Sequence, residues 1–230
     1  MKVFFTVLIY SYLFFCVVFN GFAQKGTQIG FGAGLHAYRG DLSPDPFGDV
    51  DLGYASGHIR YSVSPHLALK MRGKLGSYSA NIEDAQIKAQ ELNYSTLDSF
   101  AVNGRSGDVS LSVEWFPFGM INELATWDLY VGIGIGWLYT SVKLFDSGNA
   151  ASAVMENPQA SSAFMPIVLG ANFGRNTNPI HAHLYFGFDY TFTDFIDGVS
   201  DNFNPNDNDH FFLAGVTIGF NLVNSNINTY

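Results

Sequence analysis

The sequence predicts an all-β protein: an eight-stranded antiparallel up-and-down transmembrane β-barrel with an N-terminal signal peptide. Three observations predict this fold class. Eight segments alternate apolar residues with polar residues or glycine, which is the period-two pattern of β-strands. The polar faces are rich in glycine, which suits the crowded interior of a narrow barrel better than a water-facing surface. The links between the segments alternate between short and long, as expected of periplasmic turns and outer loops.

Residues 1–23 have the pattern of a secretory signal peptide. After a positive start, residues 3–19 are almost wholly apolar, and Gly21 and Ala23 are small residues at the −3 and −1 positions of a cleavage site. We expect cleavage after Ala23, which leaves one barrel domain over 24–230. The only cysteine lies in the signal, so the mature chain would lack thiol chemistry. The alternative is an N-terminal membrane helix.

The first four segments show the alternation with different strength. The first, "TQIGFGAGLHAY", sets large apolar residues against glycines, and the second, 51–63, is weaker. In "HLALKMRGKL" the residues opposite the apolar face include three basic ones, and in "DVSLSVEW" they include two acidic ones. These interior candidates are Lys70, Arg72, Lys74, Asp108 and Glu114.

The last four segments complete an even number of strands. "DLYVGIGIGWLY" sets isoleucine, valine and tryptophan against glycine, and the sixth segment, 163–174, is weaker. "HAHLYFGFDYTF" sets aromatic residues against His181, His183 and Asp189. "FFLAGVTIGFNL" alternates to its end. Because lipid cannot satisfy open backbone groups, strands of this kind must close into a barrel.

The links give an independent indication of topology. The short or turn-like ones are "SVSP" running into His66, "FPFGMINELAT" and "GRNTNP". The long ones are expected at about 39–50, 79–105, 141–161 and 193–209. This alternation predicts that both chain ends lie in the periplasm and that the long links face outward.

Composition excludes some classes of partner. Acidic residues outnumber lysine and arginine by 20 to 11, giving a formal net charge of −9, so nucleic acid is an unsuitable partner. Hydrophobic residues make up 47% of the chain and charged residues only 13%, which is charge-poor for a soluble secreted protein. After the signal, no run of about 20 apolar residues predicts a membrane helix.

The charged residues that point into the barrel have two interpretations. Lys70, Arg72 and Lys74 would face Asp108 and Glu114 on the neighbouring strand. We favour a structural ion-pair network, because charges in a narrow lumen must be compensated. The alternative is an ion-selective pore.

Other motifs are weak indications of chemistry. His181 and His183, with Asp189 farther along, are compatible with a metal, but a third close ligand is missing. The tripeptide at 39–41 matches an adhesion motif and is more simply a turn. The run 204–209 offers oxygen ligands for Ca²⁺ without the EF-hand spacing. No hydrolase, zinc-protease or phosphate-loop motif occurs, so we predict no catalytic site, no metal and no cofactor.

Two stretches resemble a known family. "IGFGAGLHAYRGDL" is similar to the first strand of PorG-like small outer-membrane barrels, and "FGFDYTFTDFIDGVSD" followed by "NDHFFLAGVTIGFNL" resembles their last hairpin. The residues that carry the resemblance are Tyr38, Gly40, Asp41, Tyr190, Thr191, Thr193, Asp194, Asp197 and Asp209.

The resemblance implies a function but no site. It implies a non-enzymatic scaffold or anchor in the outer membrane, associated with the type IX secretion apparatus and its periplasmic ring proteins. Its other partner would be outer-membrane lipid. The alternatives are a surface interaction or adhesion barrel acting through acidic outer loops, a barrel enzyme and a small channel.

Overall fold

The alternating segments fold into one closed sheet. The computed structural model describes residues 26–39, 50–64, 66–82, 100–118, 127–146, 153–174, 179–193 and 209–222. The strands are β1 (Thr27–Arg39), β2 (Val50–Ser64), β3 (Leu67–Ile82), β4 (Phe100–Trp115), β5 (Trp127–Asp146), β6 (Ala153–Phe173), β7 (Ile180–Thr191) and β8 (His210–Asn221). Each strand pairs with its neighbours in chain order, and β8 returns to β1. The predicted eight-stranded antiparallel barrel is confirmed.

The register closes the barrel through the first strand. Phe31 on β1 lies opposite Gly57 on β2 and opposite Ile218 on β8, and both pairings are antiparallel. We call the end where β1, β3, β5 and β7 finish the upper end, and the opposite end the lower end. Closure satisfies the backbone groups that an open sheet edge would leave unpaired.

Two of the predicted long links are shorter than the sequence indicated. The strands β3 and β4 stay paired as far as Ile82 and Phe100, so their link is 83–99. The strands β5 and β6 run to Asp146 and from Ala153, so the predicted loop at 141–161 was wrong for most of its length. The backbone ladder continues past the apolar belt, where outward residues turn polar and the alternation on which the prediction relied disappears.

The outer face is apolar and the inner face carries the charges. Leu75 and Ile135 are 71% and 72% exposed, and they belong to a belt of exposed large hydrophobic residues around the barrel. Lys74 and Asp108, by contrast, are buried inside. This inversion of the soluble pattern matches a protein whose solvent is hydrocarbon.

Interior glycines make room for interior aromatic rings. A methyl group at Gly104 on β4 would overlap the ring of Tyr78, and one at Gly170 on β6 would overlap the ring of Tyr130. Both rings are almost fully buried. The glycine-rich inner face therefore provides hollows into which large rings from neighbouring strands fit.

Several predictions fall outside the described residues. They are the signal peptide at 1–23, residues Gly40, Asp41, Asp194 and Asp197, most of the 204–209 run and the tail at 223–230. Among the residues that the structure describes, no helix is long and apolar enough to cross a membrane.

Candidate functional site

The lower part of the lumen holds an ion-pair cluster around one carboxylate. Glu114 on β4 lies 2.6 Å from Arg60 (Oε2 to Nη2) and 3.1 Å from Lys70 (Oε1 to Nζ). All three side chains are at least nine-tenths buried. One carboxylate therefore pairs with two cations, from β2 and β3, so that each of these buried charges has an opposite charge in contact.

A second cluster lies higher in the lumen. Lys74 Nζ is 2.8 Å from Asp189 Oδ2 and 3.0 Å from Asp108 Oδ2. Arg72 Nη2 is 3.3 Å from Asp189 and 3.7 Å from Asp108. The contacts to Asp108 are ion pairs without hydrogen-bond alignment, whereas those to Asp189 are hydrogen bonds. Asp189 on β7 is thus the better-placed carboxylate and connects opposite walls of the barrel.

All five predicted interior charges belong to these clusters, together with two that the prediction missed. We call the seven residues the interior network: Arg60, Lys70, Arg72, Lys74, Asp108, Glu114 and Asp189. Arg60 lies in the weak second segment, and Asp189 was considered only as a metal ligand. In both cases the alternation along the strand places the residue on the inward face, and this could have identified it as an interior charge.

Aromatic rings surround the cations of the network. The guanidinium of Arg60 lies 5.2 Å from the centroid of Tyr130 and 5.4 Å from that of Phe116. The ammonium of Lys74 lies 5.6 Å from the ring of Tyr54. Cation–π contacts of this kind add attraction and exclude water from the clusters.

The two predicted histidines point inward but are separated by their partners. His183 Nδ1 lies 3.3 Å from Arg60 Nη1, and His181 Nε2 lies 2.7 Å from Asn221 Nδ2. Asp189 belongs to the upper cluster instead. Within the described residues, no group of three His, Cys, Asp or Glu side chains is arranged to hold a metal.

A layer of rings fills the lumen near the upper end. The centroid of Phe211 on β8 lies 5.5 Å from that of Tyr38 and 5.4 Å from that of Tyr78, and the two tyrosines are 5.2 Å apart. We call Tyr38, Tyr78, Phe211 and His36 the upper ring layer. His36 Nε2 hydrogen-bonds the carbonyl of Ser77, 2.5 Å away. The layer lies above the interior network.

The residues that carry the family resemblance meet at the upper end. The Tyr38 hydroxyl donates to Asp209 Oδ1 at 2.6 Å, and the Asp209 amide donates to the Thr193 carbonyl at 3.1 Å. The Thr191 hydroxyl also donates to the Asp209 carbonyl. The first strand and the last hairpin, far apart in sequence, are therefore joined by a buried side-chain contact in addition to their backbone pairing.

Comparison with known proteins identifies the fold. No protein-family model matches the chain, and no curated protein sequence matches it either. Among solved structures, the chain is similar to Neisserial surface protein A, at 9% identity, over 84% of this chain and 96% of that one, with a TM-score of 0.55. The chain has the fold of a small outer-membrane barrel.

Two further solved structures align with the chain at lower scores. A major outer membrane protein from Thermus thermophilus aligns at 15% identity and a TM-score of 0.48, over 85% of this chain and 99% of that one. The attachment invasion locus protein of Yersinia pestis aligns at 14% identity and a TM-score of 0.46, over 86% of this chain and 99% of that one. At these identities the likeness concerns the fold alone.

Proposed function

We propose that the chain is a non-enzymatic barrel of the bacterial outer membrane that anchors partner proteins at its rims rather than conducting solutes. The observation that carries this proposal is the filled lumen. The interior network connects β2, β3, β4 and β7 across the barrel, and the upper ring layer lies above it. A barrel filled in this way offers partners its ends and its outer wall.

The outer wall supports the membrane location. Large apolar side chains remain exposed all round the belt, including Phe31, Met71, Leu169 and Ile218. In water such a belt would be an aggregation surface, whereas in a bilayer it is the required contact with lipid. The carboxylates whose side chains the structure describes, such as Asp108 and Glu114, lie inside the barrel and not on this wall.

A finer proposal concerns the partners. The resemblance to PorG-like barrels suggests that they belong to the type IX secretion apparatus, as periplasmic ring proteins. The contact between Tyr38 and Asp209 supports treating the two resembling stretches as one structural unit. The lower links, such as 116–126, would then face those proteins.

The experiment is a pull-down of the tagged full-length chain from native membranes under mild detergent, paired with its deletion. We expect periplasmic ring proteins to copurify and secretion of type IX cargo to fall. A matched control is a tagged barrel of similar size from the same membrane. Recovery of the chain alone, with secretion intact after deletion, would rule out the secretion role while leaving the membrane location standing.

A second candidate is a surface interaction barrel, favoured by the hydrogen bonds at the upper end. Thr191, Thr193, Tyr38 and Asp209 hold the start and finish of the link between β7 and β8 in a fixed position. A positioned loop base is what a binding loop requires. Protease treatment of intact cells should then remove a binding activity and leave the barrel folded, and an unchanged activity would reject this candidate.

A further inference from the structure

In the part of the outer wall that the structure describes, charges are distributed unlike those of the whole chain. The chain is acidic, yet every acidic side chain that the structure describes is buried: Asp108, Glu114, Asp128, Asp189 and Asp209. The described charged side chains that reach the outer surface are Arg39, Arg105 and Lys143, all near the upper end of their strands. The upper edge of the lipid-facing wall is therefore basic in its described part.

One of these basic positions lies above an apolar groove. The groove has a volume of about 280 Å³ and runs over β7, β8 and β1. Its outward-facing walls are Leu35, Phe186 and Phe212, and the small residues Ala37 and Ala214 lie between them. Ala37 is only 6% exposed although it faces outward, which places it at the floor. The depression thus results from two alanines among large side chains.

Arg39 and His210 lie directly above this groove. They are opposite each other in the pairing of β1 with β8, two residues beyond Ala37 and Phe212 respectively. The His210 ring stacks on Tyr190 at a centroid distance of 5.1 Å and also contacts Phe188. His210 is only 9% exposed and packs against these rings, so Arg39 is the basic side chain that reaches the surface here. A basic side chain beside aromatic rings, above an apolar surface, has the polarity of a membrane interface.

We propose that this groove and Arg39 above it bind a phosphate-bearing acylated lipid of the outer leaflet. One acyl chain would lie in the groove, and a headgroup phosphate would contact the Arg39 guanidinium. An arginine guanidinium matches phosphate oxygens with two parallel hydrogen bonds, and the groove presents only hydrocarbon to the chain below. The proposal rests on the membrane location proposed above.

Binding is tested on the full chain folded into phosphatidylcholine vesicles that also contain the probe lipid, and then released into mild detergent. Native mass spectrometry measures retention of a diphosphorylated, multiply acylated glucosamine lipid and of its dephosphorylated form. We expect Ala214→Phe, which fills the groove, to reduce retention of both forms. We expect Arg39→Gln to reduce retention of the phosphorylated form by about tenfold, the effect of losing a charge-assisted hydrogen bond, and to leave the other form unchanged.

Two matched variants separate a site from a general lipid coat. Ala55→Phe adds a ring to the exposed outer face of β2, and Arg105→Gln removes a basic side chain on the opposite wall. Both should retain the phosphorylated lipid as wild type does. The proposal is overturned if Ala55→Phe and Ala214→Phe lose the phosphorylated lipid equally. It is also overturned if Arg39→Gln retains that lipid as well as the wild type does. Failure of the wild-type chain to insert into vesicles would instead overturn the membrane location.

Discussion

At the scale of single residues, each carboxylate of the interior network is shared between cations. Arg72 and Lys74 both contact Asp108 and Asp189, so removing Arg72 leaves two buried carboxylates with one lysine. We expect Arg72→Ala to cost about 3–5 kcal/mol, the usual effect of removing one partner of a buried ion pair. Thermal unfolding in detergent measures the loss. Arg105→Ala, on the exposed wall, is the control, and equal melting of the two variants would contradict a structural role.

In the cluster around Glu114, loss of the carboxylate and loss of one cation should lower stability by unequal amounts. Loss of Lys70 leaves Glu114 paired with Arg60 at 2.6 Å, whereas loss of the carboxylate leaves two buried cations facing each other. We therefore expect Glu114→Gln to destabilise by about 3–5 kcal/mol and Lys70→Met by about 1 kcal/mol or less. Denaturant unfolding of the vesicle-inserted chain compares the free energies of unfolding of the two variants. A larger effect for Lys70→Met would show that the pairing is assigned incorrectly.

At the scale of elements, the hollow beneath each interior ring sets how closely two strands can pack. A methyl group at Gly104 would overlap the buried Tyr78 ring, whereas one at Gly73 would meet no heavy atom closer than 3.9 Å. We expect Gly104→Ala to cost about 1–3 kcal/mol through overpacking and Gly73→Ala to be nearly neutral. In a Tyr78→Ala background, Gly104→Ala should cost less than it does in the wild type, because the ring that it overlaps is gone. An equal cost in both backgrounds would show that steric overlap is not the cause.

The upper end of the last hairpin is held in part by the contact between Tyr38 and Asp209. Removing the hydroxyl in Tyr38→Phe keeps the ring in the upper layer and deletes a hydrogen bond to a carboxylate, worth about 1.5–3 kcal/mol. We expect faster hydrogen exchange at the amides of Thr191 and Asp209 than at the amides of the other strands. Tyr139→Phe, on the exposed wall, should change neither. Uniformly faster exchange in all strands would instead indicate global destabilisation.

At the scale of the whole molecule, the strand pattern predicted the fold and the inward faces but not the contacts across the lumen. The alternation in segments such as 128–139 identified the fold, because one face of each strand is apolar and the other is polar or rich in glycine. The same alternation identified the inward direction of Lys70 and Asp108. It could not identify the strand ends near Ile82 and Phe100, where the ladder leaves the apolar belt. Nor could it identify Asp189 as the partner of Lys74, because that pairing crosses the lumen and depends on how the barrel closes.

Two separate layers across the lumen lead to a prediction about transport. The interior network occupies the lower and middle lumen with paired charges, and the upper ring layer closes over it. An ion crossing the barrel would have to break buried ion pairs as well as displace rings, and breaking one such pair alone costs several kcal/mol. We expect no steady conductance in planar bilayers from the wild-type chain.

Removing the upper layer alone should not open the barrel. Replacing Tyr38, Tyr78 and Phe211 by alanine leaves the paired charges of Lys74, Asp108 and Asp189 in place below. This variant should therefore also show no steady conductance. A large porin in the same bilayers is the positive control. Steady, ion-selective steps from the wild type would show that the network is a path for ions, and would replace the anchoring proposal with a channel.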